Sequence, residues 1–149
     1  MAFTLSQSRL FDLPKRPQWI GCWDKVNTSG YVYMGASPSW EPVCFYNLPP
    51  RKHGPRWADI FRHHAGGFLF QQRDYSRKDA HPCPKSVALY KQLLAILPDG
   101  VVVDPCMGTG VTLRAAKDIG RTAIGIDISE RYCELAAERL RQGTLLLGV

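Results

Sequence analysis

The chain contains no apolar run approaching the ~20 residues that a membrane-spanning helix requires. Its first residues, Met1-Ala-Phe-Thr-Leu-Ser-Gln-Ser, lack the basic-then-apolar order of a secretory leader. Both absences argue against a membrane partner and for a cytoplasmic chain. Metal-binding spacing is missing as well. The five cysteines stand at 22, 44, 83, 106 and 133, an odd count with no Cys-x-x-Cys pair. His63 and His64 are adjacent, and His81 lies two positions from Cys83. Reduced thiols and no metal site are therefore expected. There is no internal repeat and no low-complexity tract. A 149-residue chain that is 45% hydrophobic is long and apolar enough for one domain with its own core.

Acidic residues are scarce in one part of the chain only. Residues 1–99 hold 13 Lys/Arg against 7 Asp/Glu, whereas residues 100–149 hold 6 of each. The whole net charge of +6 therefore lies in the first two thirds. It concentrates in Arg51, Lys52, Arg56, Arg62, Arg73, Arg77 and Lys78, interleaved with Trp57, Phe61, Phe68, Phe70 and Tyr75. Such a mixture suits nucleic acid, with cations tracking phosphates and rings stacking on bases or wedging into a duplex. A solvated basic face over an ordinary aromatic core would give the same composition.

The most informative stretch is Val101-Val-Val-Asp-Pro-Cys-Met-Gly-Thr-Gly110, followed by Ile124-Gly-Ile-Asp-Ile128. An apolar strand runs into an acid, a glycine loop and a helix, and a second strand ends in Asp127, 19 positions after Gly108. This is the layout of an α/β nucleotide site. The glycines admit a close ligand, and Asp127 can accept hydrogen bonds from both ribose hydroxyls. Two common variants of the loop are absent. The third glycine of a dinucleotide fingerprint is replaced by Leu113, and no Lys follows Gly110 to meet a phosphate. Asp104 before the loop would repel phosphates and suits a cationic ligand. S-adenosylmethionine, with its ammonium and sulfonium, fits that charge. A purely structural glycine turn in a βαβ unit would share the short pattern.

Over a longer span, Asp104-Pro-Cys-Met-Gly-Thr-Gly-Val-Thr112, Gly120-Arg121, Ile124 to Ile128, Tyr132 and Ala136-Ala-Glu-Arg-Leu140 closely resemble the amino-methylating DNA methyltransferases, which modify adenine N6 or cytosine N4. Their loop usually reads Asp-Pro-Phe-x-Gly-Ser-Gly-Thr-Thr. Here Cys106 replaces the aromatic expected to pack on the cofactor, and Thr109 and Val111 are milder changes. His81-Pro-Cys-Pro-Lys85 is similar to the family's His-Pro-x-x-Lys segment, and Trp40-Glu-Pro-Val-Cys-Phe-Tyr46 to its Trp-Glu-Pro strand.

The resemblance implies a Rossmann-like, three-layer α/β methyltransferase fold with S-adenosylmethionine as cofactor and double-stranded DNA as partner. It implies a cofactor site of His81, Pro82, Lys85, Asp104, Pro105, Cys106, Gly108, Gly110 and Asp127, with the 81–85 segment closing over the methionine end. In the family an Asp/Asn/Ser-Pro-Pro-aromatic segment holds the target base. No segment here matches it fully: Ser37-Pro38-Ser39-Trp40 meets three of four positions, and Asn47-Leu-Pro-Pro-Arg51 has two prolines without the aromatic. Ser37, Pro38 and Trp40 are the catalytic candidates on that basis. The accompanying expectation is an N-terminally incomplete sheet, in a truncated, split or decayed enzyme whose catalytic segment is lost or lies on a second chain. A catalytically inactive binding module, or an RNA or small-molecule methyltransferase, are the other readings.

As a single domain, 1–149 divides into strands of the catalytic half (1–46), a basic and aromatic loop (47–80) and the cofactor unit (81–149). Strands are expected at 19–23, 31–34, 40–46, 101–104 and 122–127, with a turn at 27–30. Helices are expected after Pro84 with Val87, Tyr90, Leu93, Leu94 and Leu97 as the apolar stripe, from 110 to 118 with Leu113, Ala116 and Ile119, and from Ser129 to about 141 with Tyr132, Leu135, Ala136, Arg139 and Leu140.

Overall fold

A computed structural model describes residues 1–4, 7–25, 40–49, 58–63 and 85–141. The turn and strand expected over 27–34, with Ser37, Pro38, His81, Pro82 and Pro84, lie outside them, as do Arg51, Lys52, Arg56, Arg73, Arg77 and Lys78.

The described strands form two sheets. The first contains β1 (Ala2–Thr4), β2 (Trp19–Asp24), β3 (Trp40–Phe45) and β4 (Ile60–Arg62) in the order β1-β3-β2-β4. β3 runs antiparallel to both β1 and β2, and β4 lies parallel to β2. The second is the parallel pair β5 (Val102–Asp104) and β6 (Ala123–Gly125). A 3-10 turn, Gln7–Asp12, follows β1, and three helices complete the fold: α1 (Val87–Ile96), α2 (Val111–Asp118) and α3 (Glu130–Arg141).

The sequence marks β2, β3, β5 and β6 through β-branched and aromatic runs, although β6 is shorter than the expected 122–127. Two strands depart from expectation. β1 is a three-residue segment at the chain start, and β4 lies inside the region read as irregular loop. Both are too short to show period-two alternation, and each is defined by the partner it pairs with. β4 is anchored by Phe61, which is fully buried and packs 6.3 Å from Phe45, ring centroid to ring centroid.

Helix α1 joins the two sheets. Four of the five residues of its expected stripe, Leu94 with Val87, Tyr90 and Leu97, meet Ala115 and Ala116 of α2 together with Val102 and Ala123 of the parallel pair, whereas the fifth, Leu93, faces the first sheet. A second stripe, Leu89, Leu93 and Ile96, packs on Trp23, Val43, Phe45 and Phe61 of the first sheet. A helix apolar on two faces is buried between two layers. Its N-cap is Ser86, whose Oγ accepts from the Leu89 N–H at 3.4 Å.

Its C-terminal end is held by Arg121. That guanidinium donates to the carbonyls of Leu94 (2.7 Å), Pro98 (2.7 Å) and Gly100 (3.1 Å). The Leu94 carbonyl, in the last turn, would otherwise go without an intrahelical partner, and the other two lie in the turn that leads to β5.

α2 buries Val111, Thr112, Ala115 and Ala116, whereas Ile119, expected in the core, stands at the exposed C-cap. There the chain turns at Gly120 (φ +73) to enter β6. α3 opens after Ser129, whose Oγ accepts from the Tyr132 N–H at 3.3 Å. Of its expected core positions only Ala136 is fully buried, where it packs against Gly110 at the start of α2. On the side of β5 and β6 away from α1 and α2, Val101, Val103, Ile124, Ile126 and Ile128 are each more than half exposed. The described helices therefore supply one of the two helical layers that a parallel sheet normally carries.

Candidate cofactor and nucleic-acid site

The carboxyl ends of β5 and β6 and the N-terminal end of α1 form one rim. Tyr90, near the start of α1, makes side-chain hydrogen bonds with Thr4 at the end of β1 and Thr112 at the start of α2, and it feels the charges of Asp104 and Glu41. Burial, followed by Asp104, pushes the Tyr90 phenol up from its ordinary value, so it remains a neutral donor. Ligands of open α/β folds bind along this kind of rim.

The glycine loop is shaped by the two acids. Ladder hydrogen bonds continue past the strands, from Ile126 N to Asp104 O (2.9 Å) and from Met107 N to Ile126 O (3.0 Å). The Asp104 carboxylate accepts from the Cys106 N–H at 3.1 Å and turns the chain through Pro105. The Asp127 carboxylate grips both sides of the crevice, accepting from Gly108 N through Oδ2 (2.8 Å) and from Ser129 N through Oδ1 (2.9 Å). Each carboxylate oxygen can accept a further bond, so this clamp leaves Asp127 acceptor capacity for a ligand.

Gly110 is required on two grounds. Its φ is +76°, and a Cβ there would stand 2.7 Å from the Cβ of Ala136 and 3.2 Å from that residue's Cα. Gly110 is also the N-cap of α2 and offers its first-turn N–H groups no side-chain acceptor. Asp104, Pro105, Cys106, Gly108, Gly110 and Asp127 are thus gathered in one place. Pro105 and Cys106 are exposed at its lip.

The remaining described candidates lie on the first sheet and at its junction with α1. Lys85, just before the α1 N-cap, donates to Glu41 Oε2 at 2.6 Å. Lys25 pairs with the other oxygen of Glu41 at 2.7 Å. Both ammonium groups stand over the ring of the buried Trp23, at 5.5 Å for Lys25 and 5.0 Å for Lys85. Burial alone would raise the Glu41 carboxyl, but hydrogen bonds and charge from the two lysines outweigh it and hold the group below its usual range.

This cluster went unrecognised as a site in the sequence because its members come from three distant segments. The available signal was an acid inside an otherwise apolar strand. Trp40 and Arg62 both lie across from Asp24 in the strand registers. The Arg62 side chain is largely exposed and pairs with Asp24 at 3.3 Å.

Among the described residues, Cys22, Cys44, Cys106 and Cys133 are free thiols, and no group of His, Cys, Asp or Glu could hold a metal. None of the described helices is long and apolar enough to cross a membrane.

Comparison with known proteins agrees with this architecture. A family profile described as DNA methylase matches residues 24–138. The chain belongs to the DNA methylase family. Among its relatives, the type II methyltransferase M.HinfI of Haemophilus influenzae is 42% identical over 72 residues, which cover 47% of this chain and 20% of that protein. M.HindIII, also of Haemophilus influenzae, is 27% identical over an alignment covering 85% of this chain and 51% of that protein. These matches thus span between a fifth and about half of the relatives' length.

Among solved structures, M1.HpyAVI in complex with S-adenosylmethionine superposes with a TM-score of 0.61 at 20% identity, covering 94% of this chain and 73% of that one. The cytosine-N4-specific PvuII DNA methyltransferase gives a TM-score of 0.60 at 15% identity, covering 93% and 56%. The fold is that of the S-adenosylmethionine-dependent DNA methyltransferases.

Proposed function

We propose that this DNA methylase transfers a methyl group from S-adenosylmethionine to a base amino group of double-stranded DNA, adenine N6 or cytosine N4. The carrying observation is the crevice in which Asp104 and Asp127, at the ends of adjacent parallel strands, bracket a glycine loop leading into the uncapped N-terminus of α2. The cofactor supplies an activated methyl group on a sulfonium.

In this reading Asp127 accepts from the ribose hydroxyls with its remaining lone pairs. Asp104 and the loop face the ammonium of the amino-acid end, and Lys85 stands on the same side. An acid at Asp104 disfavours pyrophosphate, which separates this site from a dinucleotide site of the same topology.

The acceptor is harder to activate, because the lone pair of an exocyclic base nitrogen is delocalised into the ring. Hydrogen-bond acceptors must take its protons, and an aromatic face must hold the base out of the stack. Trp40 at the edge of β3 is the described aromatic candidate, with Ser37 and Pro38 beside it in sequence. Arg62, exposed near Trp40, and the basic residues 51, 52, 56, 73, 77 and 78 would neutralise phosphates.

Calorimetric titration of S-adenosylmethionine tests the site. Asp127→Ala removes charge-assisted hydrogen bonds and is expected to weaken binding by roughly 1.5–3 kcal/mol, about 10- to 150-fold. Equal affinity in the two proteins would remove Asp127 from the cofactor site.

A further inference from the structure

Glu41 makes the contacts from which a second role can be read. It lies on β3, its side chain only 15% exposed, and each oxygen holds one lysine: Lys25 at 2.7 Å and Lys85 at 2.6 Å. A carboxylate buried to this degree is costly unless paired and hydrogen-bonded, and here both oxygens are engaged. Lys25, at the end of β2, is itself buried, so its pairing is a matter of folding. Lys85 differs: its side chain is 30% exposed, and it stands at the mouth of the rim directly before the N-cap of α1. The cluster lies on the crevice side of the fold: Arg121, just before β6, holds the C-terminal end of α1, and Val87 and Tyr90 pack on α2, so the N-terminal end of α1, which Lys85 precedes, is turned toward the carboxyl ends of β5 and β6. With two lysines on one glutamate the cluster carries a surplus positive charge, beside a crevice whose own loop ends in acids.

We propose that Glu41 is a positioning residue for the cofactor: it fixes the Lys85 ammonium at the amino-acid side of the crevice, where that cation meets the ligand's single anionic group, the α-carboxylate. The inference rests on the cofactor site proposed above. Glu41 does not touch the ligand. It acts by removing the rotamer freedom of a long side chain before binding, a cost otherwise met on association. The ring of Trp23 beneath both ammonium groups restricts them further.

The test compares two probes, S-adenosylmethionine and 5′-methylthioadenosine, which shares the adenosine and sulfur but lacks the amino-acid end. Glu41→Gln is expected to weaken S-adenosylmethionine about 5- to 10-fold and leave 5′-methylthioadenosine within about twofold. In a Lys85→Met background the same change is expected to cost nothing more, because Glu41 acts through that lysine. Equal losses for both probes, additive losses in the double variant, or unchanged S-adenosylmethionine affinity would overturn the proposal.

If Glu41→Gln does not fold, Lys85→Met alone must discriminate between the probes in the same way, and failure to do so overturns the proposal equally. Asp127→Ala serves as the reference, since it should weaken both probes through the shared ribose. If it weakens neither, the cofactor site is wrong. If it weakens both while Glu41→Gln shows no selectivity, only the positioning role is wrong.

Discussion

The acids of this protein do different work according to what surrounds them. Asp127 was legible from its spacing to the glycine loop, and the structure adds that it clamps Gly108 and Ser129. Glu41 was visible only as part of a Trp-Glu-Pro string. Its partners, Lys25 and Lys85, are 16 and 44 positions away in sequence and meet it only after β2, β3 and α1 have packed.

Its pH signature follows from the depressed carboxyl. A group whose folded value lies below its unfolded value contributes stability above the unfolded value and loses it as pH falls through the folded one. Wild type is therefore expected to lose thermal stability as pH drops below the ordinary glutamate value of 4.5, and Glu41→Gln to lose less over the same interval. Melting temperatures recorded from pH 6 down to about pH 3 check this. Parallel profiles would show that Glu41 is not held by its lysines.

Elements were readable in proportion to their length and to how much of their pattern is local. β5, α2, β6 and α3 follow one another with apolar strands, a glycine loop and helix stops, so the cofactor unit could be read almost directly. α1 was found with half its surface: the face toward α2 showed as a stripe, whereas Leu89 and Ile96, and the separation of Leu93 from the rest of that stripe, became meaningful only with the first sheet beside them. β1 and β4 were missed because three residues carry no period.

Arg121 is another case in which the sequence marked a position without its reason. Part of a Gly-Arg pair in the family resemblance, it caps the carbonyl end of α1 and so fixes that helix against the entrance to β6. Arg121→Met is expected to destabilise the fold by about 1.5–3 kcal/mol, the value of a hydrogen bond from a charged group, with Arg121→Lys recovering only part because an ammonium cannot fork across three carbonyls. Urea denaturation midpoints measure this. An unchanged midpoint would mean the three bonds contribute nothing.

At the scale of the whole molecule, charge is unevenly distributed along the chain. The excess of positive charge lies wholly in residues 1–99, while residues 100–149 are neutral overall and place Asp104 and Asp127 at the crevice. The α/β class, the parallel pair and its glycine loop were legible because nucleotide sites of this kind need the same residues at the same spacing. The bare face of Val101, Val103, Ile124, Ile126 and Ile128 was not, since an apolar run in sequence does not say which face is covered, and the described helices lie on the other side.

The most direct measurement is transfer of a tritiated methyl group from S-adenosylmethionine to unmethylated double-stranded DNA, followed by digestion and separation of the nucleosides. The account predicts label in N6-methyladenine or N4-methylcytosine, lost on Asp127→Ala. Label at a ring carbon, or none in DNA from a protein that binds the cofactor, would contradict it.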